Sequence, residues 1–350
     1  MIHPMAVKQI VCSGTPYEIG HTHGAHAAEE IDRAITFYAK MFAKHSGLDW
    51  TQVQDLARDF VDLIKNNWTR YYHELRGIAD GAKRDLIDII ALNVRTEIVF
   101  GQFSDGCTSL YYQDDGNAFQ GQNWDWDEEQ GANLIQLTIL QSNLPSIKMI
   151  TEAGLIGKIG LNSHGVGVCF NAIRAKGLDK TRLPVHFGLR IALESPSAIE
   201  AVESIEKIGM ASSAHILIGD ATTAIGLEFT ASTFARLPVN EKGYLVHTNH
   251  MLLAHKDIDE PVWLRDSPVR VQTMKDNLAK LGGSLGWDNF TDLFKDETNY
   301  PCSINRAAEG LSQIATLFNI VMDLKARHAE VTMGRLNSLH SKGIILSFHQ

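Results

Sequence analysis

Gly106 and Cys107 stand in the segment Ser104-Asp105-Gly106-Cys107-Thr108-Ser109-Leu110-Tyr111-Tyr112, and together they could cut the chain that carries them. A thiol opening a β-prone stretch directly behind glycine can attack the glycine carbonyl carbon, because a residue without a Cβ exposes that carbonyl at little steric cost. The intermediate would be an internal thioester. Water would then release the Gly106 carboxylate and leave Cys107 with a free α-amino group. That amine, with a reference pKa of about 7.7 to 8.0, can serve as the base for its own thiol near neutral pH. A Gly-Cys dipeptide on its own is usually an ordinary buried pair, since cysteine packs as a small hydrophobe, so the choice rests on other residues.

Other residues in the chain could also do chemistry. His247-Thr248-Asn249-His250 places two histidines three apart, a spacing that can share a metal on a helix. Tyr244 and Val246 point instead to a strand end, where the two rings diverge, and the non-metal reading is favoured. Asp125, Asp127, Glu128 and Glu129 lack the spacing of a calcium loop and read as one functional carboxylate followed by a solvated acidic turn. Lys176, Lys180 and Arg182 could meet the phosphates of coenzyme A, although a basic surface loop is the commoner explanation. Gly165-Val166-Gly167 is too short for a nucleotide fingerprint.

The elements that must position these residues change character near Cys107. Apolar spacing predicts helices from Tyr17 to about Ser46, after the start signal at Asp49 to Thr51, and over Tyr71 to Lys83 and Leu86 to Phe100, a helical lobe of three or four segments. Beyond Cys107, strands are predicted at 108–113, 134–140, 147–151 and 166–170, followed by helices at 186–194 and 197–208. Strands at 215–218, 224–229 and 244–247, helices near 269–281 and 289–294, and strands at 316–322, 330–333 and 344–348 complete the chain. Strands covered by helices imply an α+β layered fold, with the one credible boundary between segments 1–106 and 107–350.

Composition narrows the function. The 350 residues are 44% hydrophobic and 21% charged, enough for a sizeable core, and the net charge of -9 argues against a nucleic-acid partner. No eighteen apolar residues run together, so no membrane span is expected. The start does not read as a secretion signal, and the ending Phe348-His349-Gln350 is not a peroxisomal address; the expectation is cytoplasmic. Cys12, Cys107, Cys169 and Cys302 form no Cys-x-x-Cys pair and signal neither zinc nor a disulfide framework.

Asp105-Gly106-Cys107-Thr108, Gly121-Gln122-Asn123-Trp124-Asp125, Thr151-Glu152-Ala153-Gly154, His247-Thr248-Asn249-His250 and Asn299-Tyr300-Pro301 resemble, in order, the motifs of the acyl-coenzyme A:6-aminopenicillanic acid acyltransferase family. Gly14-Thr15-Pro16-Tyr17-Glu18-Ile19-Gly20 and Arg76-Gly77-Ile78-Ala79 match as well, so the resemblance spans nearly the whole chain. It implies an N-terminal nucleophile hydrolase fold, an αββα sandwich matured by autocatalytic cleavage. Cys107 falls on the family's nucleophile, Gly106 on the residue whose carboxyl is released, Asp125 on the acid that orients the amine and thiol, and Asn249 on the amide donor of the oxyanion hole. Arg306 matches an arginine near the nucleophile whose role is read as structural. Three supporting hydroxyls depart in part from the pattern. Ser109 replaces a threonine, Thr230 replaces a serine associated with maturation, and Ser312 is retained between Leu311 and Gln313, where the family has positive charges.

The resemblance implies an acyltransferase that forms a thioester on Cys107 from acyl-coenzyme A or a labile amide and passes the acyl group to an amine such as 6-aminopenicillanic acid or isopenicillin N. Acyl-coenzyme A enters as a substrate, and no cofactor or metal is implied. The cleaved fragments would remain together as a heterodimer. The alternatives are an amidohydrolase of the same fold, with water in place of the amine, and an uncleaved homologue that binds an acyl ligand without turnover.

Overall fold

The computed structural model describes residues 7–99, 106–337 and 343–348. Its first strand, β1 (Lys8–Ser13), is followed by seven helices, α1 (Pro16–His26), α2 (Ala28–Ser46), α3 (Trp50–Arg58), α4 (Val61–Asn67), α5 (Thr69–Ala82), α6 (Leu86–Asn93) and α7 (Arg95–Val99). Thr15 and Asp49 close reciprocal capping boxes with Glu18 and Gln52, fixing where α1 and α3 begin. Helices α1 and α5 touch backbone to backbone. A Cβ on Gly20 or Gly24 would lie 1.9 or 2.1 Å from a carbonyl oxygen of α5, and one on Gly77 or Gly81 2.1 or 2.3 Å from one of α1. Only glycine at those four positions permits the approach.

Fourteen strands among the described residues build two sheets. After α7 come β2 (Gly106–Gln113), β3 (Ala118–Trp126), β4 (Leu134–Leu140), β5 (Ile147–Glu152), β6 (Ile159–Asn162) and β7 (Gly167–Ala172). Helices α8 (Val185–Glu194) and α9 (Ala198–Ile208) lead to β8 (Ala214–Gly219), β9 (Ala224–Phe229), β10 (Phe234–Pro238) and β11 (Tyr244–His247). Helices α10 (Ser267–Leu281) and α11 (Trp287–Asp292) precede β12 (Ala315–Asp323), β13 (His328–Met333) and β14 (Gly343–Ser347). One sheet runs β1-β4-β5-β6-β7-β8-β9-β10, the other β11-β2-β3-β12-β13-β14. They face each other through β2, β3, β7 and β8, with α8 and α9 outside the first and α10 and α11 outside the second. The architecture is α+β, four layers in the order helix, sheet, sheet, helix.

Strand β2 is buried on both faces, so its side chains alternate between two cores. Cys107 and Tyr111 enter the core between the sheets; Leu110 and Tyr112 enter the one shared with α10 and α11. The helical segment is also tied into this frame. Strand β1 pairs in parallel with β4, from Lys8 opposite Ile135 to Ser13 opposite Leu140. Among the described residues, β1, β3, β6 and β10 are the strands that apolar patterning alone does not reveal, and the helical lobe has seven helices rather than three or four.

Candidate active site

Cys107 is the second residue of β2, fully buried, with Trp124 as its neighbour on β3, while Gly106 lies opposite Asp125. Its backbone N–H donates to Asn249 Oδ1 at 2.8 Å, and its carbonyl accepts from Arg270 Nη1. Asn249 sits just past the end of β11, where its own N–H donates to Ser267 Oγ at 2.8 Å. Thr248 Oγ1 and His250 Nδ1 converge on the same hydroxyl, both at 2.7 Å. Ser267 opens α10, so the Thr248–His250 turn is stapled to the start of that helix, and Arg270 three residues on is aimed at Cys107. Arg270 Nη2 donates to Asn249 Oδ1 at 2.9 Å. Asn249 Nδ2 donates to the carbonyl of Ala172, at the end of β7, at 3.1 Å.

Asp125 closes the other side. Thr316, its register partner on β12, donates from Oγ1 to Asp125 Oδ1 at 2.8 Å, while Asp125 Oδ2 faces Arg306 Nε at 3.4 Å. That distance is an ionic approach and not a formed hydrogen bond, and both atoms lack a hydrogen-bond partner among the described residues. Burial pushes the Asp125 carboxyl up to about 7, outweighing the opposing pull of Arg306, Arg270 and the Thr316 hydroxyl. A carboxyl so placed changes its charge near neutrality. Arg306 also donates to Ser312 Oγ at 3.1 Å and to Asp266, and Asp266 Oδ2 in turn accepts from Arg270 Nε at 2.8 Å. Two arginines and two carboxylates thus frame Gly106 and Cys107.

The remaining hydroxyls lie further out. Ser109 Oγ donates to Asn171 Oδ1 at 2.7 Å, and Asn171 Oδ1 also faces His215 Nδ1 at 2.9 Å. The His215 ring stacks on His247 with centroids 3.5 Å apart. His247 presents Nδ1 to the Thr248 carbonyl and Nε2 to Glu228 Oε1, each at 2.8 Å, so both ring nitrogens face acceptors. Thr230 Oγ1 contacts Thr233 Oγ1 at 2.8 Å, Thr233 meets His255, and His255 meets Glu228, so among the described residues Thr230 joins the cluster through that chain. Ser312 bonds Arg306 and the Ile314 carbonyl. Cys107, Gly106, Asp125, Asn249 and Arg306 therefore form one cluster, with Ser109 and Ser312 behind it and Thr230 more remote.

The other candidates have different partners. His247 and His250 turn to Glu228 and Ser267 respectively. Asp127 caps the short 3-10 turn at Glu128–Asn133, and Glu129 pairs with Lys40. Lys176, Lys180 and Arg182 each stand against a carboxylate, Asp259, Asp59 and Asp179. Sequence reasoning missed Arg270, Asp266, Thr316 and Glu228. Arginine and carboxylate residues are usually solvated, and no local pattern marks one that folding buries. No helix among the described residues is long and apolar enough to cross a membrane.

Comparison with known proteins fits this geometry. A profile of the family described as acyl-coenzyme A:6-aminopenicillanic acid acyl-transferase matches residues 112–338. The "acyl-coenzyme A:6-aminopenicillanic-acid-acyltransferase 40 kDa form" of Emericella nidulans is 45% identical over 334 residues, 94% of this chain and 93% of that one. Among solved structures, a variant of conjugated bile acid hydrolase from Clostridium perfringens superposes with a TM-score of 0.50 at 13% identity, covering 70% of this chain and 97% of that one. Penicillin V acylase from Agrobacterium tumefaciens matches at a TM-score of 0.45 and 11% identity, over 69% and 86% of the two chains. The fold is that of the N-terminal nucleophile hydrolases. The chain is an enzyme of the acyltransferase type and belongs to the acyl-coenzyme A:6-aminopenicillanic acid acyltransferase family.

Proposed function

We propose that the enzyme cuts itself between Gly106 and Cys107 and then uses the Cys107 thiol to move an acyl group from acyl-coenzyme A to an amine of the 6-aminopenicillanic acid type. The observation that carries this reading is the bond from the Cys107 N–H to Asn249 Oδ1, made beside a glycine that is flanked by Asp125 and Arg306. The donor and acceptor come from the name of the relative that is 45% identical over 334 residues.

In the cut, Cys107 Sγ bonds to the Gly106 carbonyl carbon, the C–N bond breaks, and the thiol proton passes to the departing nitrogen. Water then adds to the thioester carbon, releasing the Gly106 carboxylate and restoring the thiol. In turnover, the α-amine takes the thiol proton, sulfur attacks the acyl carbon, and coenzyme A leaves with that proton as a thiol. The amine acceptor next attacks the enzyme thioester, loses a proton to the α-amine, and the Cys107 thiol is restored. Exchange between two thioesters is near thermoneutral, and the enzyme thioester stays reactive towards amines. Asp125 would hold the ammonium that forms when the α-amine takes the thiol proton, and the Asn249 amide would donate to the developing oxyanion, an interaction of about 2.7 to 4 kcal/mol in comparable sites.

The described contacts also suit two pieces that stay together after a cut. Tyr38 and Arg95, from the first segment, both bond Glu152 on β5, and Glu74 on α5 forms a doubly bonded pair with Arg190 on α8. Denaturing mass measurement tests the reading. Cleavage predicts fragments of 106 and 244 residues from the 350-residue chain, roughly 12 and 27 kDa when 38.8 kDa is divided by length. The Cys107→Ala chain should stay whole. An intact wild-type chain, or two fragments from the alanine variant, would overturn it.

A further inference from the structure

An asparagine side chain has two ends of nearly equal shape, and only hydrogen bonding decides which way it faces. At Asn249 two donors meet one oxygen, the Cys107 N–H at 2.8 Å and Arg270 Nη2 at 2.9 Å, while Nδ2 faces the Ala172 carbonyl at 3.1 Å. Reversal would set donors against the amide nitrogen on one side and a carbonyl against the amide oxygen on the other. In the intact chain the Cys107 peptide N–H and Arg270 on one side, and the Ala172 carbonyl on the other, all enforce this orientation.

Cleavage would remove one of the three constraints and leave Arg270, among the described residues, as the remaining donor to Oδ1, opposite the Ala172 carbonyl on Nδ2. The nitrogen of Cys107 would become an amine, and a neutral amine offers a lone pair as well as N–H bonds, so it would accept either end of Asn249. The Arg270 guanidinium differs, having five donors, no acceptor and a permanent charge. It is itself fixed: fully buried, with Nε on Asp266 Oδ2 at 2.8 Å and Nη1 on the Cys107 carbonyl and, at 3.1 Å, on Thr108 Oγ1.

We infer that Arg270 is a positioning residue: in the cleaved enzyme it holds the Asn249 oxygen inward, so that Nδ2 stays on the side where an acyl oxyanion needs a donor. This rests on the self-cleavage reading. It assigns Arg270 no contact with substrate, and its whole effect passes through Asn249.

The test uses the full-length chain as it matures. Cleaved sites are counted by iodoacetamide titration and fragment mass, and coenzyme A release from a panel of acyl-coenzyme A thioesters is measured per cleaved site. Arg270→Gln offers either end to Asn249, and kcat should fall about 100-fold, the scale of losing one oxyanion donor, with KM within about threefold of wild type. Arg270→Lys keeps a donor-only cation but lacks the planar fork that serves two acceptors, and kcat should fall about tenfold at unchanged KM. In an Asn249→Ala background, Arg270→Gln should cost almost nothing more, because the group through which it acts is gone.

Wild-type kcat in R270Q, or an equal loss with and without Asn249, would overturn the inference. If R270Q or the Asn249→Ala background does not mature, R270K decides: a fall in kcat alone supports the inference, and unchanged kinetics or a change only in KM refutes it. An R270K chain that folds yet stays uncut refutes it as well, since Arg270 would then act on the cut and not on the cleaved state. A wild-type chain that stays whole is a different failure, that of the self-cleavage reading.

Discussion

Arg306 Nε lies 3.4 Å from Asp125 Oδ2, and the space these two groups leave above Gly106 is too small for a methyl group. A Cβ at residue 106 would stand 2.9 Å from Asp125 Oδ2 and 3.0 Å from Arg306 Nε. Glycine is required here by contact with a buried ion pair. Gly106→Ala should therefore push the pair apart, destabilise the chain by about 1 to 3 kcal/mol, as overpacking does, and slow the cut at least tenfold. Denaturant unfolding and a time course of fragment mass check both, and a wild-type time course would show that the pair yields freely.

Asp125 should leave a mark on pH behaviour. Burial raises its folded value to about 7 from an ordinary 3.8, so between about pH 4 and pH 7 the folded state binds the extra proton. Its contribution to stability is thus fully present below about pH 4 and is lost as pH rises through 7. Asp125→Asn should remove that decline, and the variant should gain on the wild type as pH is raised to 8. Cleavage should respond in the opposite sense, rising through pH 7 in the wild type as the carboxylate forms and staying low and flat in D125N. Unfolding midpoints and cleavage rates across pH 4 to 8 test the pair of trends, and identical stability profiles would refute the first.

Three fully buried histidines set the acid limit. Burial lowers His23 to about 3 and holds His186 and His215 well below their ordinary 6.5. Each is neutral when folded but takes up a proton when unfolded below about pH 6.5, so stability is whole above that pH and falls as acid is added. The slope approaches about 1.4 kcal/mol per pH unit for each such group. His23 Nε2 accepts the Gly154 N–H at 3.0 Å, a role a glutamine oxygen can take, so His23→Gln should flatten the slope between pH 6 and 4 by about a third of what these three histidines contribute. An unchanged slope in urea titrations would count against this account.

Legibility in the sequence followed the hydrophobic signal. Strands Leu134–Leu140, Ala224–Phe229 and Tyr244–His247 have the bounds that β-rich runs predict, because each is apolar enough to stand out. Strand β3 does not, although it carries Asp125. Its Gln120, Gln122, Asn123 and Asp125 are buried with tertiary partners, Asn123 Nδ2 for instance donating to the Phe294 and Ile304 carbonyls at 2.9 Å. A polar run satisfied by distant backbone looks like a loop until the fold is known. Strand β1 is missed for a related reason, since only two of its six residues are buried and its partner β4 is remote in sequence. Cys107 stands out by its glycine neighbour and, with Asp125 and Asn249, by motif resemblance, whereas Arg270 and Asp266 matter only because the start of α10 and the residue before it are brought to the end of β2.

Glu152 joins the two sides of the candidate cut. It accepts from Tyr38 and Arg95 of the first segment and from Gln130 and Lys158 of the second, all in the core. Glu152→Ala would leave two buried cations without their shared carboxylate, a loss of about 3 to 5 kcal/mol. The fragments of that variant should separate at lower urea concentration than those of the wild type, as read by size-exclusion chromatography. Coincident separation curves would show that Glu152 does not hold them.

The parallel pairing of β1 with β4 sets an order of events during synthesis. Strand β1 leaves the ribosome first, but the strand it must pair with emerges only after the Gly106–Cys107 bond has itself been made. A break in that bond before β4 arrives would release a piece with nothing to hold it. For a cut at the proposed bond, assembly would therefore have to come first: the bond would become expendable only once β1 has found its place.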